Sequence, residues 1–160
     1  MYLCAYVVQL RQTVIFFLLI LGLISCGNKD LLQEVKQLPH YPSASGIEYI
    51  NNKIYIIGDD ANNLLVLDSN LNTIDSIPLY SFPEKRIPKA VKPDLESIAL
   101  LPDKKILLSG SGSWAPQRNI AWLIDPATKE KDSIRLDTFY KRLSLYGIKE
   151  LNIEGIAPVP

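Results

Sequence analysis

Apolar positions along the chain fall into two regimes. From Thr13 to Ile24 they run almost without a break, and Arg11 is the only charge before them. From residue 43 onward they come in short runs rich in Ile, Val, Leu and Tyr, separated by Asn, Asp, Gly and Pro. Such runs predict β-strands. Eight are predicted: 46–50, 53–58, 63–68 and 73–80, then 97–101, 105–110, 119–124 and 132–137. Asn51-Asn52 and Pro102-Asp103 supply a tight turn after the first run of each set. Asp68-Ser69-Asn70 and Asp125-Pro126-Ala127 do so after the third. Nothing between Pro39 and Asp137 carries helical periodicity.

The two sets are copies of one repeat. Ser45-Gly46-Ile47-Glu48-Tyr49 aligns with Glu96-Ser97-Ile98-Ala99-Leu100, and both align with Glu154-Gly155-Ile156-Ala157-Pro158, at offsets of 51 and 58 residues. Lys53–Gly58 aligns with Lys105–Gly110, Leu65–Asp68 with Trp122–Asp125, and Asp75–Leu79 with Asp132–Leu136. The offset grows from 52 to 57 within one loop, Gly58–Asn63 against Gly110–Asn119. Four antiparallel strands recurring every 50 residues or so describe a β-propeller blade. A small two-sheet sandwich also has short strands at regular spacing, but it does not require its halves to share sequence. The expected fold class is therefore all-β, a β-propeller of four-stranded antiparallel blades. Blade 1 spans about 45–80, blade 2 about 95–137, and a third begins at about 153–160. Propellers need roughly four to eight blades to close. The expectation is thus an N-terminal fragment of a longer ring, with a short paralogue or a broken reading frame as alternatives, and with an apolar sheet face left exposed.

The N-terminal run reads as an address. An apolar stretch of this length behind a lone basic residue fits a secretory signal. It falls short of the roughly 20 residues of a permanent span unless the polar interruptions nearer Met1 are counted in. Leu23-Ile24-Ser25-Cys26 resembles the lipobox of bacterial lipoproteins. The resemblance implies cleavage after residue 25 and acylation of Cys26, anchoring the chain to a membrane of the bacterial cell envelope; a plain signal anchor is the alternative. Residues 26–42 would then be a lipidated tether and 43–160 the folded part.

Composition trims the remaining options. Seventeen basic residues balance seventeen acidic ones over 160 positions. Without residues 1–25 the count is sixteen against seventeen, a formal charge of −1. Neither value provides the positive field of a nucleic-acid binder. Cys4 and Cys26 cannot build a disulfide framework, and a single histidine, His40, excludes a multi-histidine metal site.

Propeller topology gathers the start of each inner strand, the loop between strands two and three, and the linker between blades on one face. That face collects Ser45, Glu96 and Glu154 from the strand starts. It adds Asp59 and Asp60 from one loop, and Ser109, Ser111, Ser113, Trp114 and Arg118 from the other. The linkers bring Lys85, Arg86, Lys89, Lys92, Lys141, Arg142 and Lys149. Asp59, Asp60, Glu96 and Glu154 are candidate metal ligands, with Ca²⁺ the ion suited to hard carboxylate oxygens. Ser111, Ser113 and Arg118 are candidate ligand or anion contacts. Each has a structural alternative: backbone register for the glutamates, turn formation for the aspartates, bracing of its own loop for Arg118, and a solvated rim for the lysines.

Ser45-Gly46-Ile47-Glu48, Asp94-Leu95-Glu96-Ser97-Ile98-Ala99 and Asn152-Ile153-Glu154-Gly155-Ile156-Ala157 resemble the blade-opening motifs of the phytase-like (esterase-like-phytase) β-propellers, a group that includes bacterial envelope lipoproteins. The resemblance covers about residues 43–160. It implies a carboxylate-lined channel, and it implies activity only weakly, because true phytases bind several Ca²⁺ ions through many more acidic residues than match here. Two readings result. One is a lipid-anchored envelope protein that binds a small-molecule or protein ligand at the channel face. The other is a Ca²⁺-dependent phosphoesterase or related hydrolase.

Overall fold

A computed structural model describes residues 34–159. The expected signal, Cys26 and the first part of the expected tether lie outside the described residues, as does Pro160. All the elements below belong to one compact unit that begins at Leu38.

Eight strands form two separate four-stranded sheets. β1 (Ala44–Ile50), β2 (Lys53–Gly58), β3 (Asn63–Asp68) and β4 (Thr73–Pro78) make the first. β5 (Leu95–Leu100), β6 (Ile106–Gly110), β7 (Ile120–Ile124) and β8 (Lys131–Arg135) make the second. Each is an antiparallel meander with its strands in chain order, and the two sheets do not interleave. Among the described residues the structure is thus all-β apart from one short helix.

The turns follow from their residues. Asn51 and Asn52 both take left-handed φ, +50° and +61°, the pairing of a two-residue type I′ hairpin that asparagine tolerates. Pro102-Asp103-Lys104 forms the longer variant, with Lys104 at φ +66°. Asp68 Oδ1 accepts from the Asn70 and Asn72 amides at 2.9 and 2.7 Å. Its repeat partner Asp125 accepts from Ala127 and Thr128 at 2.8 and 3.2 Å.

The sheets stack face to face, with β1 against β5. Ile57, Leu64, Val66 and Ile77 of the first pack with Ile98, Ile106, Leu108 and Ile124 of the second in one core. Gly46 sits at the closest approach: a Cβ there would lie 3.1 Å from Ile98 Cγ2. Trp122 is half-buried against this core, and its Nε1 donates to the Tyr80 hydroxyl at 2.7 Å.

Three expectations change. Run four of the first copy stops at Pro78, and Tyr80 leaves the sheet to receive Trp122. Run four of the second copy ends at Arg135, because Asp137 opens a helix, α1 (Asp137–Leu145). Lys141 and Arg142 therefore stand on a helix rather than a loop. One residue of α1 is buried, Tyr140, which packs on Gly112 and donates to the Gly110 carbonyl at 2.9 Å. So short a buried stripe leaves little periodicity to read. Finally, residues 153–159 carry the third copy of the opening motif but form no strand.

Candidate functional site

The strand-opening ends of the two sheets lie together, and backbone hydrogen bonds tie them. The Asp59 amide donates to the Ser43 carbonyl (3.1 Å), and its repeat equivalent, the Ser111 amide, donates to the Asp94 carbonyl (2.9 Å). Asp94 donates in turn to Asp59 (3.1 Å), and Ile153 to Ser111 (2.9 Å). Ser43 and Asp94 both adopt left-handed φ, +42° and +54°, so the repeat extends to backbone conformation. Gly58 and Gly110 permit these crossings. A side chain on the first would run into the Pro42 carbonyl, and one on the second into the Pro93 and Arg118 carbonyls.

These ties bring carboxylates from both repeats together. Asp59, Asp94 and Glu96 each place an oxygen within 4.8 Å of the others. Lys92 Nζ bridges Asp59 Oδ2 at 2.5 Å and Asp94 Oδ1 at 2.6 Å. On the other side of Asp94, Arg118 reaches Oδ2 at 2.7 Å and the Ser111 hydroxyl donates to Oδ2 at 2.7 Å. Arg118 also donates to Ser113 Oγ at 2.7 Å, and its guanidinium stacks 5.7 Å from the ring centre of Trp114, which is half-exposed.

Electrostatics divide the carboxylates. Burial works against ionising Asp94, but Lys92, Ser111 and Arg118 outweigh it and hold its carboxyl below the usual range. Lys92 is the converse: burial disfavours its charge, and Asp59 and Asp94 still raise its pKa. Glu96 receives no such help. Burial first, then the charges of Asp94, Glu154 and Asp59, push it up to about 7 against the pull of Lys92. A carboxyl whose pKa rises on folding stabilises the fold while protonated. Its contribution is complete below pH 4.5 and is lost as pH climbs through about 7. The full shift would be worth roughly 3 kcal/mol, and solvent screening at this partly open position reduces it to about 1–2 kcal/mol. Glu96→Gln should flatten unfolding free energy between pH 4.5 and 7, as followed by urea denaturation; an unchanged slope would contradict this environment for Glu96.

Of the four acidic residues expected to hold a metal, Asp59 and Glu96 enter the cluster. Asp60 turns away, and its Oδ2 takes Arg86 Nε at 2.6 Å. Glu154 is exposed, acts on Glu96 through its charge, and accepts from the Asn152 amide side chain. Ser111, Ser113 and Arg118, expected to contact an anion, are engaged by Asp94 and by one another. Ser45 donates to the Leu95 carbonyl at 2.5 Å, and Ser109 to the carbonyl of Gly110 at 3.2 Å. Lys85 contacts the Pro39 carbonyl and His40 Nδ1. Lys89, Lys141, Arg142 and Lys149 are exposed. The hub of the site, Asp94, was given no role from sequence. The available signal is its place at the end of the linker, immediately ahead of the strand start that carries Glu96.

The match to a family model described as a family of unknown function (DUF6929) runs over residues 40–159. The chain belongs to this family. The matched span includes both sheets, α1, the segment after it and every residue of the carboxylate cluster. No curated protein matches the chain. The chemistry of the site is therefore argued from its own side chains.

Proposed function

We propose that this protein is a lipid-anchored β-propeller of the bacterial cell envelope that binds a cationic ligand, Ca²⁺ being the simplest, where Asp59, Asp94 and Glu96 converge. One observation carries the ligand reading: three carboxylates from two repeats crowd within 4.8 Å of one another. Lys92 pairs with Asp59 and Asp94, and Arg118 with Asp94, while among the described residues no basic side chain forms an ion pair with Glu96, whose pKa stays raised despite the pull of Lys92. A cation supplied from solution relieves that repulsion and finds hard oxygen donors.

The propeller reading is supported by two four-stranded meanders whose first strands lie side by side. It is supported also by the third motif, whose Ile153 amide donates to the Ser111 carbonyl, one residue along from the equivalent of the Asp94-to-Asp59 bond. The lipid anchor rests on Leu23-Ile24-Ser25-Cys26. Binding is the stronger reading than hydrolysis, because Arg86, Lys92 and Arg118 are each spent on a carboxylate. A phosphoesterase needs such groups turned toward its substrate.

Titrating CaCl₂ into the full chain tests the ligand. A ligand at about 100 times its Kd adds about 2.7 kcal/mol to stability, so the thermal midpoint should rise. The rise should vanish in an Asp59→Asn, Glu96→Gln double variant. No shift with Ca²⁺ or with a small alkylammonium ion would overturn the proposal, and Ca²⁺-dependent phosphate release from simple esters would favour the hydrolase. Radiolabelled palmitate supplied to producing cells should label the chain and not its Cys26→Ser variant; label on neither or on both would contradict the lipid anchor.

A further inference from the structure

The two repeats build one junction from different side chains. In the first copy Pro42 lies between Tyr41 and Ser43, and Ser45 follows. In the second, 51 positions on, Pro93 lies between Lys92 and Asp94, and Glu96 follows. Ser43 and Asp94 share the left-handed turn. The Asp59 amide donates to the Ser43 carbonyl as the Ser111 amide does to that of Asp94. A tyrosine and two serines therefore suffice for this backbone crossing. The second copy makes it with a cation and two carboxylates, and sets them beside Asp59, whose own equivalent is the neutral Ser111. Charges are costly to take out of water, and a neutral set of similar volume often serves stability as well. The charged set therefore answers a need other than the crossing.

Lys92 shows what that need is. Tyr41, its equivalent, donates its hydroxyl to carbonyls of its own sheet, at Ile56 and Asn63. Lys92 instead puts its ammonium between carboxylates of both repeats. Nζ lies 2.5 Å from Asp59 Oδ2 and 2.6 Å from Asp94 Oδ1. Carboxylate oxygens hold Ca²⁺ at the same separation, about 2.3–2.6 Å. The ammonium and an ion held by these two oxygens would fill one volume, so the two exclude each other. The lysine also leaves acceptors unmet. Asp59 Oδ1 is buried without a hydrogen-bond partner, and Glu96 has no ion pair among the described residues. The residues just ahead of Lys92, Pro88–Val91, are exposed, and its four-carbon stem is flexible, so the head group is free to swing out.

We propose that Lys92 is a tethered internal cation, and that a cation from solution enters the site by exchanging with its ammonium. This rests on the ligand reading above and adds how the site is regulated. Affinity is set by how readily the linker releases Lys92. A monovalent ion must compete with an equal charge tethered beside the site, at an effective concentration on the order of millimolar. A divalent ion brings twice the charge and also meets Asp59 Oδ1 and Glu96.

Ammonium-selective NMR of the labelled full chain, titrated with CaCl₂, tests the exchange. The Lys92 signal, identified by its loss in Lys92→Arg, should be visible in the free protein, where two carboxylates slow its proton exchange. It should disappear on saturation. The Lys129 ammonium, paired with Asp75, is the internal control and should stay. By calorimetry, Lys92→Met should bind Ca²⁺ at least about tenfold more tightly than the wild type, because no lysine-held fraction then subtracts from the competent sites. Calcium binding with the Lys92 signal intact overturns the exchange and leaves the ligand reading standing. Unchanged or weaker binding by Lys92→Met does the same. Absence of Ca²⁺ binding in both proteins overturns both. If Lys92→Met does not fold, the wild-type signal decides alone.

Discussion

Asp94→Asn should cost the fold about 3–5 kcal/mol, the range found when one partner of a buried ion pair is removed. Asp94 is 5% exposed and is met by Lys92 on one oxygen and by Arg118 and Ser111 on the other. The asparagine keeps the shape and tolerates the left-handed φ of +54°. It leaves Lys92 with Asp59 alone and strips Arg118 of its carboxylate, and both cations have side chains only 14% exposed. Asp94→Ala should cost more, since alanine adds backbone strain at that φ. Equilibrium urea unfolding measures both. A loss under about 1 kcal/mol for Asp94→Asn would mean that the hub is as solvent-screened as a surface pair.

The second large effect concerns the stack itself. Leu108→Ala should destabilise by about 3–5 kcal/mol, in the upper part of the range for leucine truncations in a packed interior. Leu108 is fully buried between the sheets, and neither sheet can move into the space without disturbing Ile57 and Ile98. The informative control is Ile47→Ala. Ile47 is the repeat equivalent of Ile98, yet it stands 67% exposed while Ile98 stands at 8%. In dilute protein, its truncation should stay within about 0.5 kcal/mol, whereas Ile98→Ala should cost about 2–4 kcal/mol. Equal costs at Ile47 and Ile98 would mean that the two positions are buried alike, contrary to the packing of the two sheets in one core.

The repeat made the architecture legible before any coordinates. Local turn chemistry at Asn51-Asn52, Asp68 and Asp125 set the hairpins, and short aliphatic runs set the strands between them. The repeat also predicted that Glu96 would sit near the inter-strand loops, because topology alone carries both to one end. Side-chain choice among the charged groups was not legible. Asp59 and Asp60 are neighbours in sequence, but one faces Lys92 and the other Arg86, a difference set by where the linker returns. Lys92 reads as one more solvated lysine until the fold places it between two carboxylates. Helix α1 leaves no periodic signal in the sequence because it buries only Tyr140. Its place is determined by the tertiary contact with Gly112 and the Gly110 carbonyl rather than by any periodic stripe.

Two copies of one repeat stack so that their opening ends crowd carboxylates together. Glu96 reports on that crowding directly. Carbon-detected NMR of its side-chain carboxyl, followed from pH 3 to 9 as a titration curve, should show a midpoint of about 7, falling when Asp59→Asn removes one negative neighbour from the other repeat. A midpoint near the ordinary 4.5, unmoved by Asp59→Asn, would contradict the account.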